Sequence, residues 1–211
     1  MLQQKTKAPG RVESYGEAYS LTPADRFGVW LSARQLRRHA CYRGKRVADF
    51  GCGYRAAFGR TVLEEAEHLT LVDVSLAPDL KRHPKVSAIE GQLPEALVEI
   101  PSRPVDVLLC VSVLEHLWEP LRALVEFRRI LAPGGACLLN VPSWRGKRFL
   151  EFSAFRLGLS PSREMDDHKM YYDVRDLWPL LVQAGFQPSG IRCFKPKFGL
   201  NTFAVCKETS V

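Results

Sequence analysis

The order of apolar segments in this chain predicts an α/β fold. The expected core is a mostly parallel seven-stranded sheet with helices on both faces and an antiparallel C-terminal edge hairpin. Three observations predict it. From Lys45 onward, short apolar runs alternate with amphipathic stretches, the order that parallel strands joined by crossover helices require. The run Val105–Val111 is nearly continuous in apolar residues, as a strand buried on both faces must be. Two closing strand-like runs follow one another without an intervening helix, which suits an antiparallel pair.

The elements follow in chain order. Residues 1–22 read as irregular, polar chain carrying Tyr15 and Tyr19. Thr22-Pro23 reads as an N-cap followed by Pro at the first helical position. The helix it opens sets Phe27, Trp30, Leu31 and Leu36 near helical spacing, with Arg34, Arg37 and Arg38 largely between them, and ends near Gly44. Residues 46–50 then read as a strand and 56–67 as a helix. Residues 69–73 form the second strand, with a short helix at 77–81. A third strand (86–90), a weak helix (94–99) and the strand 105–111 come next. The helix 120–131 is closed by Pro133-Gly134-Gly135, and 136–141 is the fifth strand. A last helix, 173–184, stops at Gly185 before strands at about 186–194 and 200–207. The stretch 142–172 is too long for a simple connection, and connections of that length are often functional.

Composition bounds the function classes. A chain of 211 residues, 46% hydrophobic, suffices for one domain with a full core. No apolar run approaches the ~18 residues of a membrane span, and Met1–Lys7 lacks the apolar stretch of a signal peptide. The six cysteines are scattered with no Cys-x-x-Cys pair, which gives no disulfide framework and no expected metal site. Reduced thiols fit a cytoplasmic protein. Residues 1–46 carry ten Lys or Arg and three Asp or Glu; 10 − 3 = +7, the whole net charge of the chain. Such an arm attracts phosphates, acidic substrates or an anionic surface, or is simply a solvated helix face. The expected organisation is a basic arm and amphipathic helix (1–44) ahead of the α/β domain (45–211), with 142–172 as an insertion.

The chemistry concentrates after the first strand, in Asp49-Phe50-Gly51-Cys52-Gly53. Gly51 and Gly53 let the backbone turn tightly and approach a ligand where a side chain would collide. Asp73 ends the second strand, where an acid can accept both ribose hydroxyls of an adenosine. A dinucleotide would place its pyrophosphate at the helix N-terminus, and Asp49 would repel it. The same acid suits a ligand bearing an ammonium and a sulfonium, so the electrostatics favour S-adenosylmethionine over NAD.

These motifs, in this order, resemble the class I S-adenosylmethionine-dependent methyltransferases, in the group that includes the ubiquinone-biosynthesis O-methyltransferases. The likeness runs from about Arg46 to Val205. It rests on Val-Ala-Asp49-Phe-Gly51-Cys52-Gly53, Leu-Val-Asp73-Val74, Glu90-Gly91-Gln92-Leu-Pro, and Asp106 to Leu117 with its Leu-Glu115-His116. Ile130-Leu-Ala-Pro-Gly-Gly135, His168-Lys-Met-Tyr-Tyr and Leu180 to Phe186 complete it. The resemblance implies a Rossmann-like fold, S-adenosyl-L-methionine as cofactor and S-adenosyl-L-homocysteine as product. It assigns cofactor contacts to Asp49, Gly51, Cys52, Gly53, Asp73 and Val74, adenine contacts to Glu90, Gly91 and Gln92, and further contacts to Cys110 and Val111. The family's third glycine is replaced by Arg55, which either contacts the methionyl carboxylate or points into solvent.

Methyl transfer needs mainly in-line positioning of the acceptor. An oxygen acceptor gains from a general base, and His116, just past the fourth strand, is the first candidate, with Asp167 and His168 behind it. The alternative is that Glu115 and His116 only cap a helix or shape the pocket. An Asn/Asp-Pro-Pro-Tyr/Phe tetrapeptide and a Pro-Cys nucleophile are both absent, which weakens base methylation. A small-molecule acceptor at oxygen remains: a sugar, a quinone precursor, a lipid-linked saccharide or a secondary metabolite, acidic or phosphorylated in view of the basic and aromatic residues at 144–156. Two other readings stay open. One is an RNA methyltransferase using the basic arm, the other a non-catalytic S-adenosylmethionine-binding protein.

Overall fold

A computed structural model describes residues 13–19, 23–147 and 167–209. Most of the predicted insertion, with Phe152, Phe155 and Arg156, lies outside the described residues.

Helix α1 (Pro23–His39) precedes the sheet. Strands β1 (Arg46–Phe50), β2 (His68–Asp73), β3 (Val86–Glu90), β4 (Val105–Val111) and β5 (Leu131–Pro142) run parallel, while β6 (Ile191–Phe194) and β7 (Asn201–Lys207) close it antiparallel. The spatial order is β3-β2-β1-β4-β5-β7-β6. Helices α2 (Ala57–Val62), α3 (Pro78–Lys81), α4 (Pro120–Ile130) and α5 (Val174–Gln183) supply the described crossovers. The expected Rossmann-like sheet and its edge hairpin are both present.

Side-chain alternation explains why both faces are covered. Ala48, Phe50, Leu108 and Cys110 point into one buried cluster, and Val47, Leu109, Leu71 and Leu138 into another. Period-two alternation with apolar residues on both sides leaves the central strands no face for water. Helix α4 contributes Ala123, Leu124, Phe127 and Ile130, spaced on one face and fully buried. Helix α5 starts with a capping box, Asp173 reciprocated by Asp176, which satisfies donors the first turn would leave open. Arg46 forks onto Asp106 (2.9 and 3.2 Å), locking the start of β1 to β4.

Four element boundaries differ most from expectation. Helix α1 ends at His39 instead of near Gly44, with the Ala40 amide on the Leu36 carbonyl as its last turn. Helix α2 stops at Val62 instead of 67: the Glu65 amide takes the Val62 carbonyl three residues back, the tighter turn of a helix end, and the Glu65 carbonyl is taken by the Gly44 amide. Glu67 donates its amide to Lys45, so the chain is already aligned for β2. Strand β6 begins at Ile191, not at 186. Pro188 opens a 3-10 turn there and has no N–H to give a ladder, while Phe186 is sunk in the core. Strand β5 begins at Leu131, five residues early, with a register shift against β4 between Val105 and Val107.

Candidate active site

The carboxyl ends of the parallel strands bring the predicted groups to one edge, the usual ligand side of such sheets. Asp49 stands in β1 in register with Leu71 of β2 and Leu109 of β4. It is buried, and its carboxyl is pushed up to about 7, first by burial and then by the charge of Asp73. Gly51 (φ +71°) and Gly53 (φ +74°) both sit in the left-handed region that favours glycine. A side chain on Gly51 would collide with Val113, so the loop's close approach is first of all to the segment after β4.

Asp73 organises the loop. Its Oδ2 accepts the Gly53 amide at 2.7 Å, and its Oδ1 accepts the Val74 amide at 2.8 Å. Ser14 adds a third donor, its hydroxyl 2.5 Å from Oδ1. Sequence reasoning missed Ser14, which no motif marks and which lies 59 residues away along the chain. The neighbouring Tyr15 carbonyl takes the Tyr54 amide at 3.0 Å. The 13–19 segment therefore lies across the glycine loop.

Other predicted cofactor residues have mixed placements. Glu90 pairs in register with Asp73 at the strand ends, but its carboxylate holds the Leu76 amide (2.7 Å) and Lys81 (3.0 Å). Those bonds keep it below the usual carboxylate range. Gly91 donates its amide to the Asp73 carbonyl, and Gln92 begins the turn that follows, accepting the Ala96 amide. Cys52 is half-buried and its Sγ lies against the Gly53 carbonyl; burial pushes its thiol up. Cys110 is fully inside the core, so its side chain is a packing group, while Val111 at the strand end is half-buried. Arg55 is exposed.

Across the glycine loop, a second cluster forms after β4. A 3-10 turn (Leu114–His116) follows Val113, the residue packed on Gly51. The segment 167–172 is laced onto it: the amides of Lys169 (2.6 Å) and Met170 (3.3 Å) both donate to the Glu115 carbonyl. Tyr172 donates its amide to Pro142 and its hydroxyl to Leu114. This lacing sets His116 Nδ1 2.9 Å from Asp167 Oδ2 and brings the His116 and His168 rings to 4.7 Å between centroids, tilted by 59°. His168 Nδ1 meets the Tyr171 hydroxyl at 2.9 Å. Lys169 pairs with Asp167 and lies over the Trp118 ring. Glu115 is fully buried, and one donor atom each of Glu115, His116 and His168 lie within 4.8 Å of one another.

An adenosine bearing an ammonium fits the first cluster. A buried acid whose charge burial disfavours gains from a cationic ligand, and Asp73 offers a carboxylate at the neighbouring strand end. Asp49 could hold the ammonium, the loop backbone the body of the cofactor, and Asp73 a ribose. The His116–Asp167 pair could move a proton. Among the described residues no helix is long and apolar enough to cross a membrane.

Comparison with known proteins shows the family. Residues 24–189 match the family model described as a methyltransferase domain. A probable S-adenosylmethionine-dependent methyltransferase of Mycolicibacterium smegmatis is 30% identical over 158 residues, covering 72% of this chain and 56% of the relative. The ubiquinone biosynthesis O-methyltransferase of Vibrio cholerae is 25% identical over 157 residues, 70% of this chain and 63% of that one. The chain thus spans little more than half the length of these curated relatives. In fold it is similar to an S-adenosylmethionine-dependent methyltransferase from Mesorhizobium loti (TM-score 0.60, 15% identity, 83% and 96% of the two chains). It is also similar to a putative methyltransferase in complex with the Haloferax volcanii Trm112 methyltransferase activator (TM-score 0.63, 14% identity, 94% and 100%). With the family model matched over most of the chain and a named relative 30% identical over 72% of it, the protein belongs to the class I S-adenosylmethionine-dependent methyltransferases.

Proposed function

We propose that this chain methylates an oxygen of a small-molecule acceptor, with Asp49, Gly51, Gly53 and Asp73 holding the cofactor and His116 taking the acceptor's proton. One observation carries the reading: His116 is oriented by Asp167 at the same sheet edge as the two acids, three residues beyond the Val113 that packs on the glycine loop. A carboxylate on Nδ1 favours the tautomer with its proton there, which turns Nε2 into the basic nitrogen. S-adenosylmethionine, when bound, supplies a methyl group already activated for transfer. The chain's own residues have the lesser tasks of orienting the acceptor oxygen and accepting its proton. His168, held by Tyr171 beside His116, is the secondary group in that role.

The rim supports an amphipathic acceptor. Trp118, Trp144 and Phe198 are all exposed on segments that leave or enter the carboxyl edge, with Lys169 over Trp118 and Lys147 over Tyr171. A lipid-linked or aromatic acceptor carrying an anionic group, such as a lipid-borne saccharide or a quinone precursor, matches that mixture. The same reading makes residues 1–44 a lid, supported by the contact of Tyr15 with the loop, and 142–172 the acceptor side.

The test has two stages. Calorimetric titration with S-adenosylhomocysteine is expected to show saturable binding; a folded protein that binds none sinks the cofactor assignment. A screen of acceptors with labelled S-adenosylmethionine then identifies the substrate. Against it, His116→Ala is expected to lower turnover roughly 10²–10⁴-fold, with cofactor affinity within threefold of wild type. Unchanged turnover removes the base role.

A further inference from the structure

We propose that Ser14 belongs to the cofactor site as a built-in competitor, its hydroxyl holding on Asp73 the place a ribose hydroxyl would take. The inference rests on the reading of Asp73 as the ribose acid. Its basis is the way the carboxylate is shared. An ionised carboxylate has about four acceptor positions. Three are used within the chain: Val74 N–H and the Ser14 hydroxyl at Oδ1, and Gly53 N–H at Oδ2. The two hydroxyls of a ribose need two positions, so one internal donor must leave.

The three donors are not equally easy to remove. The Val74 amide belongs to the turn leaving β2, and the Gly53 amide to the loop between β1 and α2, both set by strand register. Ser14 comes from a segment outside the sheet and reaches Asp73 only through a clasp. Its Oγ accepts the Ser75 amide at 2.7 Å and lies 2.8 Å from the Ser75 carbonyl and 2.5 Å from Asp73. Ser14 is nonetheless buried, only 3% exposed, which is unusual for a serine outside secondary structure. Its hydroxyl has the chemistry of a sugar hydroxyl, donating to a carboxylate and accepting from an amide.

Adenosine binding is thereby an exchange of one hydroxyl for another. The exchange moves the strap: with Ser14 released from Asp73, the Tyr15 carbonyl on Tyr54 remains to hold the segment over the loop. Cofactor affinity is set partly by how firmly Ser14 competes, and the strap couples cofactor binding to the position of the N-terminal arm.

Three variants, each checked for folding by its melting temperature, are titrated with S-adenosylhomocysteine. Ser14→Ala is expected to bind at least threefold more tightly than wild type, since nothing then has to be displaced from Asp73. Ser14→Thr keeps the hydroxyl and is expected to stay within twofold of wild type. Asp73→Asn is expected to bind at least tenfold more weakly. Unchanged or weaker binding by Ser14→Ala overturns the competitor role and makes Ser14 a structural or supporting residue. Should Ser14→Thr lose binding, the strap acts by shape and the proposal also fails. Wild-type affinity in Asp73→Asn, or no binding by the wild type, instead defeats the ribose assignment beneath it.

Discussion

Asp49 shows how one residue can oppose stability and serve binding. Burial and the nearby Asp73 raise its carboxyl to about 7, so the folded chain holds a proton there that the unfolded chain has already lost. With the folded pKa above the unfolded one, its contribution to stability is full below about pH 4 and is lost as pH rises toward and through 7. Asp49→Asn removes that loss. Its unfolding free energy at pH 8 is expected above wild type by roughly 2–4 kcal/mol, read as a higher urea midpoint, while S-adenosylhomocysteine binding falls at least tenfold. For the wild type, affinity for this ammonium-bearing ligand is expected to rise between pH 6 and 8 as Asp49 ionises. A flat profile in calorimetry would detach Asp49 from the cofactor. The His116–Asp167 pair makes a second prediction at this scale. Asp167→Asn leaves a hydrogen-bonding group on Nδ1 but removes its charge, and turnover is expected to fall at least tenfold with cofactor affinity unchanged. Asp49 and Asp73 were legible from their places at strand ends. Ser14 was not, because a lone serine in an irregular segment carries no pattern, and only the tertiary contact gives it meaning.

Among the elements, the glycine loop and the turn after β4 form one unit. Gly44 and Gly51 both have positive φ, +64° and +71°, but a side chain at Gly44 meets open space while one at Gly51 meets Val113. Gly44→Ala is therefore expected to cost about 1 kcal/mol of backbone strain. Gly51→Ala adds overpacking of roughly 1–3 kcal/mol, and Val113→Ala in the same chain should recover that part. Chemical denaturation of the four proteins checks it; equal losses at the two glycines would deny the contact. The sequence pattern led to glycine as a ligand cradle, and the structure adds a packing reason that no motif displays. Helix α1 shows the complementary limit. Its apolar spacing was readable, yet Phe27 and Trp30 are exposed and stacked on each other, with Arg34 against Trp30. Spacing marks a face, but only the surroundings decide whether anything covers it. Boundaries failed where local hydrogen bonding or a proline outweighed the apolar pattern, as at the ends of α2 and the start of β6.

At the scale of the whole molecule, the sheet sits between two buried clusters and sets everything at its carboxyl edge. Leu108 is fully buried in the central β4, so Leu108→Ala is expected to cost about 2–5 kcal/mol, read as a lower urea midpoint with an unchanged slope. A loss under 1 kcal/mol, roughly that of a surface site, would contradict a close-packed centre. The amino-acid sequence alone determined the succession of strands and helices, the mostly parallel direction of the strands, the closing hairpin, and the acids and glycines at the ends of β1 and β2. These are local properties: alternation, turn chemistry and the residue type at a strand end travel with the chain. What only the tertiary structure decided is which distant residues meet. The strap brings Ser14 onto Asp73, and backbone bonds to Glu115 bring Asp167 and His168 onto His116. Such meetings depend on how segments outside the sheet cross it. Hydrophobic periodicity places an element on a core but says nothing of which irregular segment will lie across its edge.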